Sequence, residues 1–392
     1  MFESYLPIVP GKFNSSLFNI FYHLYLTFTL QSRDEIKGKL NDIVAKNYTN
    51  NYGIFGFSCR SLFKIFVTEY LENKTDRILV SPWIHSAFYK ILKESTLKIY
   101  SLDYDENFNL IYPDDYKSCS YILISHNFGN KEKLKELYQL SKNHNIKIIE
   151  DMVQGGIIFD EKLDDNNLLS LYSGGQDKIP VSYGGGFGIT DDSELYYIMN
   201  KKIESLPEDT LFNRFVHIFK KIPLYLLYQN QWLINLVILC YQIYQFVCRL
   251  FSYEIENPEI LVSSIRKSYP GFKHNGYMLK PSVGQLNSML YSLENLPYLD
   301  IFKTKINRLL FYEKNKQPWF TNFIRNVNYY SHIFSKDKNF IAKMSKKGYL
   351  CIQQQTWRSF SDVNNHLDNV YLLPNLGNFN LKQLKKLIKD LD

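Results

Sequence analysis

A strand–helix–strand pattern in the first half of the chain most constrains what it can fold into. Residues 121–125 (YILIS) form an apolar run, residues 131–142 carry leucine at every third position, and residues 146–150 (IKIIE) form a second apolar run. A helix between two buried strands is typical of a βαβ unit, so we expect the two strands to be parallel. The pattern predicts an α/β fold with a mostly parallel sheet, in which ligands bind at the carboxyl ends of the strands.

Similar patterns continue on both sides of this unit. Further strands are predicted at 78–80, 98–102, 348–352 and 370–373. Further helices are predicted at 34–45, 63–70, 83–92, 283–293, 298–312 and 381–391. The 392 residues suffice for a three-layer α/β/α large domain and a smaller α+β C-terminal domain. The expected divisions are an N-terminal arm (1–50), the large domain (51–205), an apolar helical insert (206–260) and the small C-terminal domain (261–392).

Charge and cysteine content argue against several classes of protein. The chain carries 46 Lys and Arg against 39 Asp and Glu, a net charge of +7, without a dense basic block. A nucleic-acid partner is therefore not indicated. The five cysteines form neither a CxxC pair nor a Cys/His cluster with zinc spacing, which predicts no metal site and a reducing compartment. The first residues lack a basic segment followed by an apolar one, so we expect no signal peptide and a cytoplasmic location.

The uncharged segment 222–248 allows more than one interpretation. It is long enough to span a membrane, but six Asn and Gln residues interrupt it. The favoured interpretation is a buried helix pair or an oligomer surface. The alternative is a helix that docks on a membrane surface through its aromatic residues and basic flanks, and a true membrane span is the least favoured of the three.

An acid and a lysine follow two neighbouring predicted elements and point to one chemistry. Asp151 comes directly after the strand at 146–150, and Lys178 lies in a glycine-containing stretch (SGGQDK) before Gly184–Gly186. A carboxylate at a strand end can keep a pyridine nitrogen protonated, and a lysine can hold an aldehyde as a Schiff base and move protons. A pyridoxal-phosphate (PLP) enzyme needs both groups. The alternatives are a helix N-cap for the acid and a solvated surface lysine.

Other residues near predicted strand ends are further candidates. Ser173, at the start of the same stretch, and Ser58–Cys59–Arg60, which opens a helical run, can donate hydrogen bonds to a phosphate. Trp83 can stack on a flat ring, and Gln154 can reach the same ligand. The alternatives are an ordinary capped helix, a core tryptophan and a surface amide. His126 is interpreted as a structural histidine.

The order and spacing of these residues resemble those of the DegT/StrS-type sugar aminotransferases. The matching segments are Ser58–Arg60, Pro82–Trp83, Ile99–Asp103, His126–Gly129, Ile149–Gln154 (the pattern IEDxxQ), Ser173, Lys178 and Gly185–Asp192. There are three departures from the family pattern. One is that the uncharged segment 222–248 is longer and more apolar than in a typical member. Cys59 replaces the glycine of the phosphate turn, and Asn275–Met278 is the nearest match to an Asn-x-Arg segment but lacks the arginine.

The resemblance implies PLP transferase fold type I and a PLP-dependent aminotransferase. It implies that Lys178 forms the Schiff base and Asp151 contacts the pyridine nitrogen, while the remaining candidates surround the cofactor. The implied substrates are glutamate and a keto sugar attached to a nucleotide, in a homodimer whose N-terminal arm contributes to the substrate side. The presence of Lys178 argues against the dehydratases of the family, which replace this lysine. The alternative is a membrane-peripheral binding or regulatory protein that has lost turnover on the same fold.

Overall fold

The computed structural model describes most of the chain up to residue 219 and shorter parts beyond it. The described residues are 17–29, 31–48, 52–104, 110–126, 132–154, 166–175, 178, 181–219, 222, 278–296, 310, 331–335, 337, 339–340, 343–344, 352–353, 357–360, 370–373 and 381–391.

Seven strands form the central sheet: β1 Tyr52–Gly56, β2 Arg77–Val80, β3 Lys98–Ser101, β4 Tyr121–Ser125, β5 Lys147–Asp151, β6 Asn167–Ser173 and β7 Gly186–Thr190. Their order in the sheet is β1–β7–β6–β5–β4–β2–β3. The pairs β2–β3, β2–β4, β4–β5 and β5–β6 are parallel, whereas β7 is antiparallel to both of its neighbours. The mostly parallel sheet predicted from the βαβ pattern is confirmed.

In the described part of the chain, nine α-helices of seven residues or more accompany these strands. They are α1 Leu17–Leu26, α2 Arg33–Asn47, α3 Cys59–Ile65, α4 Ser86–Lys93, α5 Glu132–His144, α6 Ser193–Ser205, α7 Leu211–Phe219, α8 Val283–Glu294 and α9 Leu381–Leu391. Helix α3 continues through a π-helical turn (Phe66–Leu71) into a short α-helical piece (Glu72–Lys74), so the helix predicted at 63–70 is part of a longer one.

Alternate strand side chains face two different layers of helices. Leu123 and Ile149 belong to a buried cluster with α3, α4 and α6, whereas Ile122 and Ile148 belong to a cluster with α5. On this second face, Phe187 of β7 packs in a further cluster with α2 and α8. Successive residues of a strand point to opposite faces, so apolar runs such as YILIS supply both layers at once. The three-layer α/β/α architecture is therefore confirmed.

The helix predicted from Trp83 begins later, at Ser86. Trp83 is followed by a two-residue strand, Ile84–His85, which pairs with Trp357–Arg358 near the C-terminus. The Nδ1 atom of His85 accepts the backbone N–H of Ala87 at 3.1 Å and caps the helix. The prediction was wrong here because pairing with a distant strand decides where the helix starts.

The C-terminal part contains a three-stranded antiparallel sheet with Val370–Leu373 between Ser331–Phe334 and Ile352–Gln353. The strand predicted at 370–373 and the helices predicted at 283–293 and 381–391 are confirmed. The division into domains stays a prediction.

The structure also contains two smaller elements. They are a hairpin of Asp103–Tyr104 with Leu110–Ile111 and a 3₁₀ turn at Tyr116–Ser118. Except for Leu310, the helix predicted at 298–312 lies outside the described residues, as does segment 222–248 except for Ile222. Within the part of the chain that the structure describes, no helix has the length and apolar character required to cross a bilayer.

Candidate active site

Three segments of the chain reach the same edge of the central sheet. The parallel strands β5 and β6 end at Asp151 and Ser173, so both ends lie at the carboxyl edge. Gly186, the first residue of β7, pairs with Ser173 on one side and with Gly56, the last residue of β1, on the other. Helix α3 begins directly after β1, and its N-terminus therefore lies at this edge as well. A ligand at this edge would meet two strand ends and the positive end of a helix.

Asp151 is a buried carboxylate at this edge. Burial raises its pKa to about 6, although the N–H of Val153, the charge of Lys178 and the hydroxyl of Ser125 all act to lower it. The N–H of Val153 donates to Oδ1 of Asp151 at 3.1 Å. Among the described residues, Asp151 forms no ion pair within 4.0 Å. A cation placed against this carboxylate would favour its charged form and would itself be stabilised.

Lys178 lies close enough to act on two other predicted site residues. It is half-buried, and its backbone N–H donates to the carbonyl of Gly175 at 3.1 Å. Burial raises the pKa of both the Asp151 carboxyl and the Cys59 thiol, and the positive charge of Lys178 acts against both rises. The structure thus brings together a lysine, an acid and a helix start that are far apart in the sequence.

The start of helix α3 is closed by a reciprocal cap. The Oγ atom of Ser58 accepts the N–H of Ser61 at 3.1 Å, and the Oγ atom of Ser61 accepts the N–H of Ser58 at 2.9 Å. The Cys59 thiol is buried, and burial together with the Asp151 charge raises its pKa well above the usual range. Arg60 is exposed. Because the Ser58 hydroxyl caps the helix, its contact with a phosphate stays a prediction.

The remaining predicted site residues have different surroundings. Trp83 is buried, and its ring meets that of Tyr104 edge-on at a centroid distance of 5.1 Å. Gln154 is half-buried in the turn after β5, and Ser173 is half-buried at the end of β6. The roles of Trp83, Gln154 and Ser173 toward a cofactor stay predictions.

A buried polar network, which the sequence did not reveal, lies next to Asp151. Glu150 is 1% exposed, and its carboxylate accepts from Ser170 Oγ at 2.6 Å and lies 3.0 Å from His126 Nε2. The Tyr138 hydroxyl and the Asn167 amide also donate to it. The network agrees with a structural role for His126. The only signal for it in the sequence is a glutamate within an apolar strand.

A short loop, which we call the entry loop (residues 181–185), connects the Lys178 region to β7. The N–H groups of Ser182 and Gly184 both donate to the carbonyl of Gly174 at 3.0 Å. The N–H of Gly185 donates to the carbonyl of Phe57 at 3.1 Å. The entry loop therefore ties the end of β6 to the start of α3. Gly186 is required at the close approach that follows, because a Cβ atom there would lie 2.7 Å from Cα of Cys59.

Comparison with solved structures identifies relatives of this fold. Helicobacter pylori PseC, an aminotransferase involved in the biosynthesis of pseudoaminic acid, is similar over 98% of each chain with a TM-score of 0.63 and 14% identity. The E. coli GDP-4-keto-6-deoxy-D-mannose-3-dehydratase with bound hydrated PLP is similar over 98% of this chain and all of its own (TM-score 0.63, 17% identity). The sugar aminotransferase CalS13 from Micromonospora echinospora is similar over 98% and 99% of the two chains (TM-score 0.60, 11% identity).

The chain shares the fold of these sugar-modifying enzymes. The predicted fold class is thereby confirmed over nearly the whole length of the chain. No family model and no curated protein matches the sequence. At these identities the likeness shows the fold alone, and activity has to be argued from the site.

Proposed function

We propose that this protein is a PLP-dependent aminotransferase. The observation that carries the proposal is the buried Asp151 carboxylate with the charge of Lys178 beside it, at the carboxyl edge of the sheet. An enzyme of this class needs an acid and an amine in such a place. The solved structure of a protein with the same fold holds hydrated PLP, which supports the cofactor assignment.

The described residues fit the cofactor. Among the described residues Asp151 forms no ion pair, and burial raises its pKa to about 6; a pyridinium nitrogen would supply a cationic partner. Lys178 would hold the aldehyde carbon, and the N-terminus of α3 would face the phosphate. The missing Cβ atoms of Gly185 and Gly186 let the backbone approach α3 and Met289 closely.

Each of these residues has a distinct chemical role in the proposed reaction. When bound, PLP supplies an electron sink for the electron pair of a broken Cα–H bond. Asp151 would keep the ring nitrogen charged, which the sink requires. The Lys178 amine, once free, would carry the proton between the Cα atom of the substrate and the cofactor carbon. Cys59 contributes no charge, because its raised pKa keeps the thiol protonated.

For the substrates we propose glutamate and a nucleotide-linked keto sugar. Proteins with the same fold have been solved with bound GDP-perosamine, in the presence of a TDP-sugar product and with a trapped PLP–glutamate geminal diamine. Lys178 favours amino transfer over dehydration, as inferred from the sequence. A homodimer is proposed because the sequence resembles the DegT/StrS-type family, and a cytoplasmic location because the cysteine pattern indicates a reducing compartment.

A second candidate is a non-catalytic protein that binds a membrane surface peripherally. Exposed aromatic side chains support it, including Phe18 and Phe21 of α1 and Phe212 and Phe219 of α7. Helix α7 precedes the uncharged segment 222–248 in the chain. Flotation with anionic liposomes tests the membrane contact, and transamination assays test whether turnover has been lost.

The decisive experiment is a visible absorption spectrum of the purified protein with PLP. We expect a band that shifts when glutamate is added and that Lys178→Ala abolishes. Lys201→Ala, which removes an exposed lysine on α6, is the control and should keep the band. A wild-type protein without a band under any condition would exclude the aminotransferase and leave the second candidate.

A further inference from the structure

The entry loop holds a backbone conformation that is costly by itself. Tyr183, Gly184 and Gly185 have φ angles of +53°, +126° and +89°. Tyr183 is a fully buried residue with a Cβ atom, for which this left-handed region is unfavourable. Such a conformation persists only where the surrounding structure holds it. Neighbouring groups must therefore hold the entry loop in this conformation.

Side chains from two helices hold the entry loop by hydrogen bonds. From α7, the guanidinium of Arg214 donates to the carbonyls of Tyr183 at 2.6 Å and Ser182 at 2.8 Å. From α8, Ser292 Oγ donates to the carbonyl of Val181 at 2.6 Å. Three successive carbonyls of the entry loop are thus bonded to side chains of α7 and α8.

Helix α8 also holds the other side of the same junction. Gln285 Nε2 donates to the carbonyl of Phe57 at 2.8 Å, the same carbonyl that accepts the N–H of Gly185. A Cβ atom on Gly184 would lie 3.0 Å from the Arg214 guanidinium and 3.4 Å from Gln285 Nε2, so the two side chains meet at this glycine. They therefore act on the junction between the entry loop and helix α3.

Arg214 is buried and lies near two titratable side chains, Asp209 and His23. Arg214 is 2% exposed, and a buried guanidinium is costly unless it is well bonded and compensated. Burial raises the pKa of the nearby Asp209 carboxyl, and the positive charge of Arg214 acts against this rise. The His23 ring packs edge-on to Tyr183 at 5.0 Å, and burial and the Arg214 charge lower the His23 pKa to about 3, so it stays neutral. Among the described residues, the guanidinium thus has the Asp209 carboxyl nearby and donates to two carbonyls.

We propose that Arg214 is a positioning residue, which with Gln285 and Ser292 holds the entry loop against the start of α3 and so sets the cofactor site. The inference rests on the proposed function only for its link to the cofactor. Arg214 belongs to no motif of the resemblance, and its partners lie 31 and 32 residues away in the chain.

Hydrogen–deuterium exchange of the protein without PLP tests the proposal directly. Arg214→Met should speed the exchange of the Ser182, Gly184 and Gly185 amides about tenfold, while peptides covering β5 stay unchanged. Arg214→Lys keeps the charge but not the forked donor pair, so its effect should be intermediate. Arg77→Met is the control and should match the wild type, because Arg77 begins β2 at the edge of the sheet opposite the entry loop.

Titration with PLP gives a second readout. We expect the dissociation constant to rise about tenfold in Arg214→Met, in step with the faster exchange. Unchanged exchange in the entry loop, or an equal rise in β5, would overturn the proposal. If Arg214→Met does not fold, Gln285→Leu decides, because it removes one hydrogen bond and should speed the Gly185 amide. A wild type that does not bind PLP refutes the proposed function, whereas the exchange result still tests the loop.

Discussion

Replacing Asp151 with Asn should stabilise the protein without PLP and abolish its proposed chemistry. Burial raises the Asp151 pKa from 3.8 to about 6. For an acid whose pKa is raised by folding, the contribution to stability is fully present below pH 3.8 and is lost as the pH rises through about 6. The difference between a pKa of 3.8 and one of about 6 corresponds to about 3 kcal/mol, which the wild type has lost at pH 8. Asn carries no such penalty and keeps the acceptor for the N–H of Val153.

Thermal melting between pH 4 and pH 8 measures this difference. The melting temperature of D151N should exceed that of the wild type by about 5 °C at pH 8, and the gap should close toward pH 4. D76N, which removes a carboxylate that is 80% exposed, is the control for the loss of one charge. With PLP present the order should reverse, since only the wild type gains stability from a paired ring nitrogen. An unchanged or lower melting temperature for D151N at pH 8, or a gap independent of pH, would refute this account of Asp151.

One further substitution and one labelling experiment test the geometry at the edge of the sheet. Gly186→Ala should destabilise the protein by about 3 kcal/mol, measured by urea unfolding, because the new Cβ atom would press on the backbone of Cys59; a loss below about 0.5 kcal/mol would contradict the close approach. Alkylation of Cys59 at pH 8 can be followed by mass spectrometry of the labelled peptide. It should be slow in the wild type, because burial and the Asp151 charge keep the thiol protonated, and faster in D151N. Equal rates would show that the two groups do not interact.

The sequence by itself determined the layers of the fold and the ends of its strands. Apolar runs such as 121–125 and 146–150 are buried on both faces, and a pattern without polar alternation is expected only for strands covered on two sides. Asp151, at the end of the second run, could be predicted as a site residue for the same reason, since a charge directly after a buried strand marks where the strand meets solvent or a ligand. Lys178 was readable from the glycines around it.

Only the tertiary structure decided how these ends meet and what holds them. The pairing of Gly186 with both Gly56 and Ser173 brings α3 to the edge where Asp151 lies, and this depends on an antiparallel strand that leaves no local signature. The same is true of Trp83, whose expected helix gives way to a strand paired with residues near the C-terminus. Arg214 reads as an ordinary cation on an amphipathic helix, because local patterns record which face is apolar and not which distant carbonyls a buried side chain will reach.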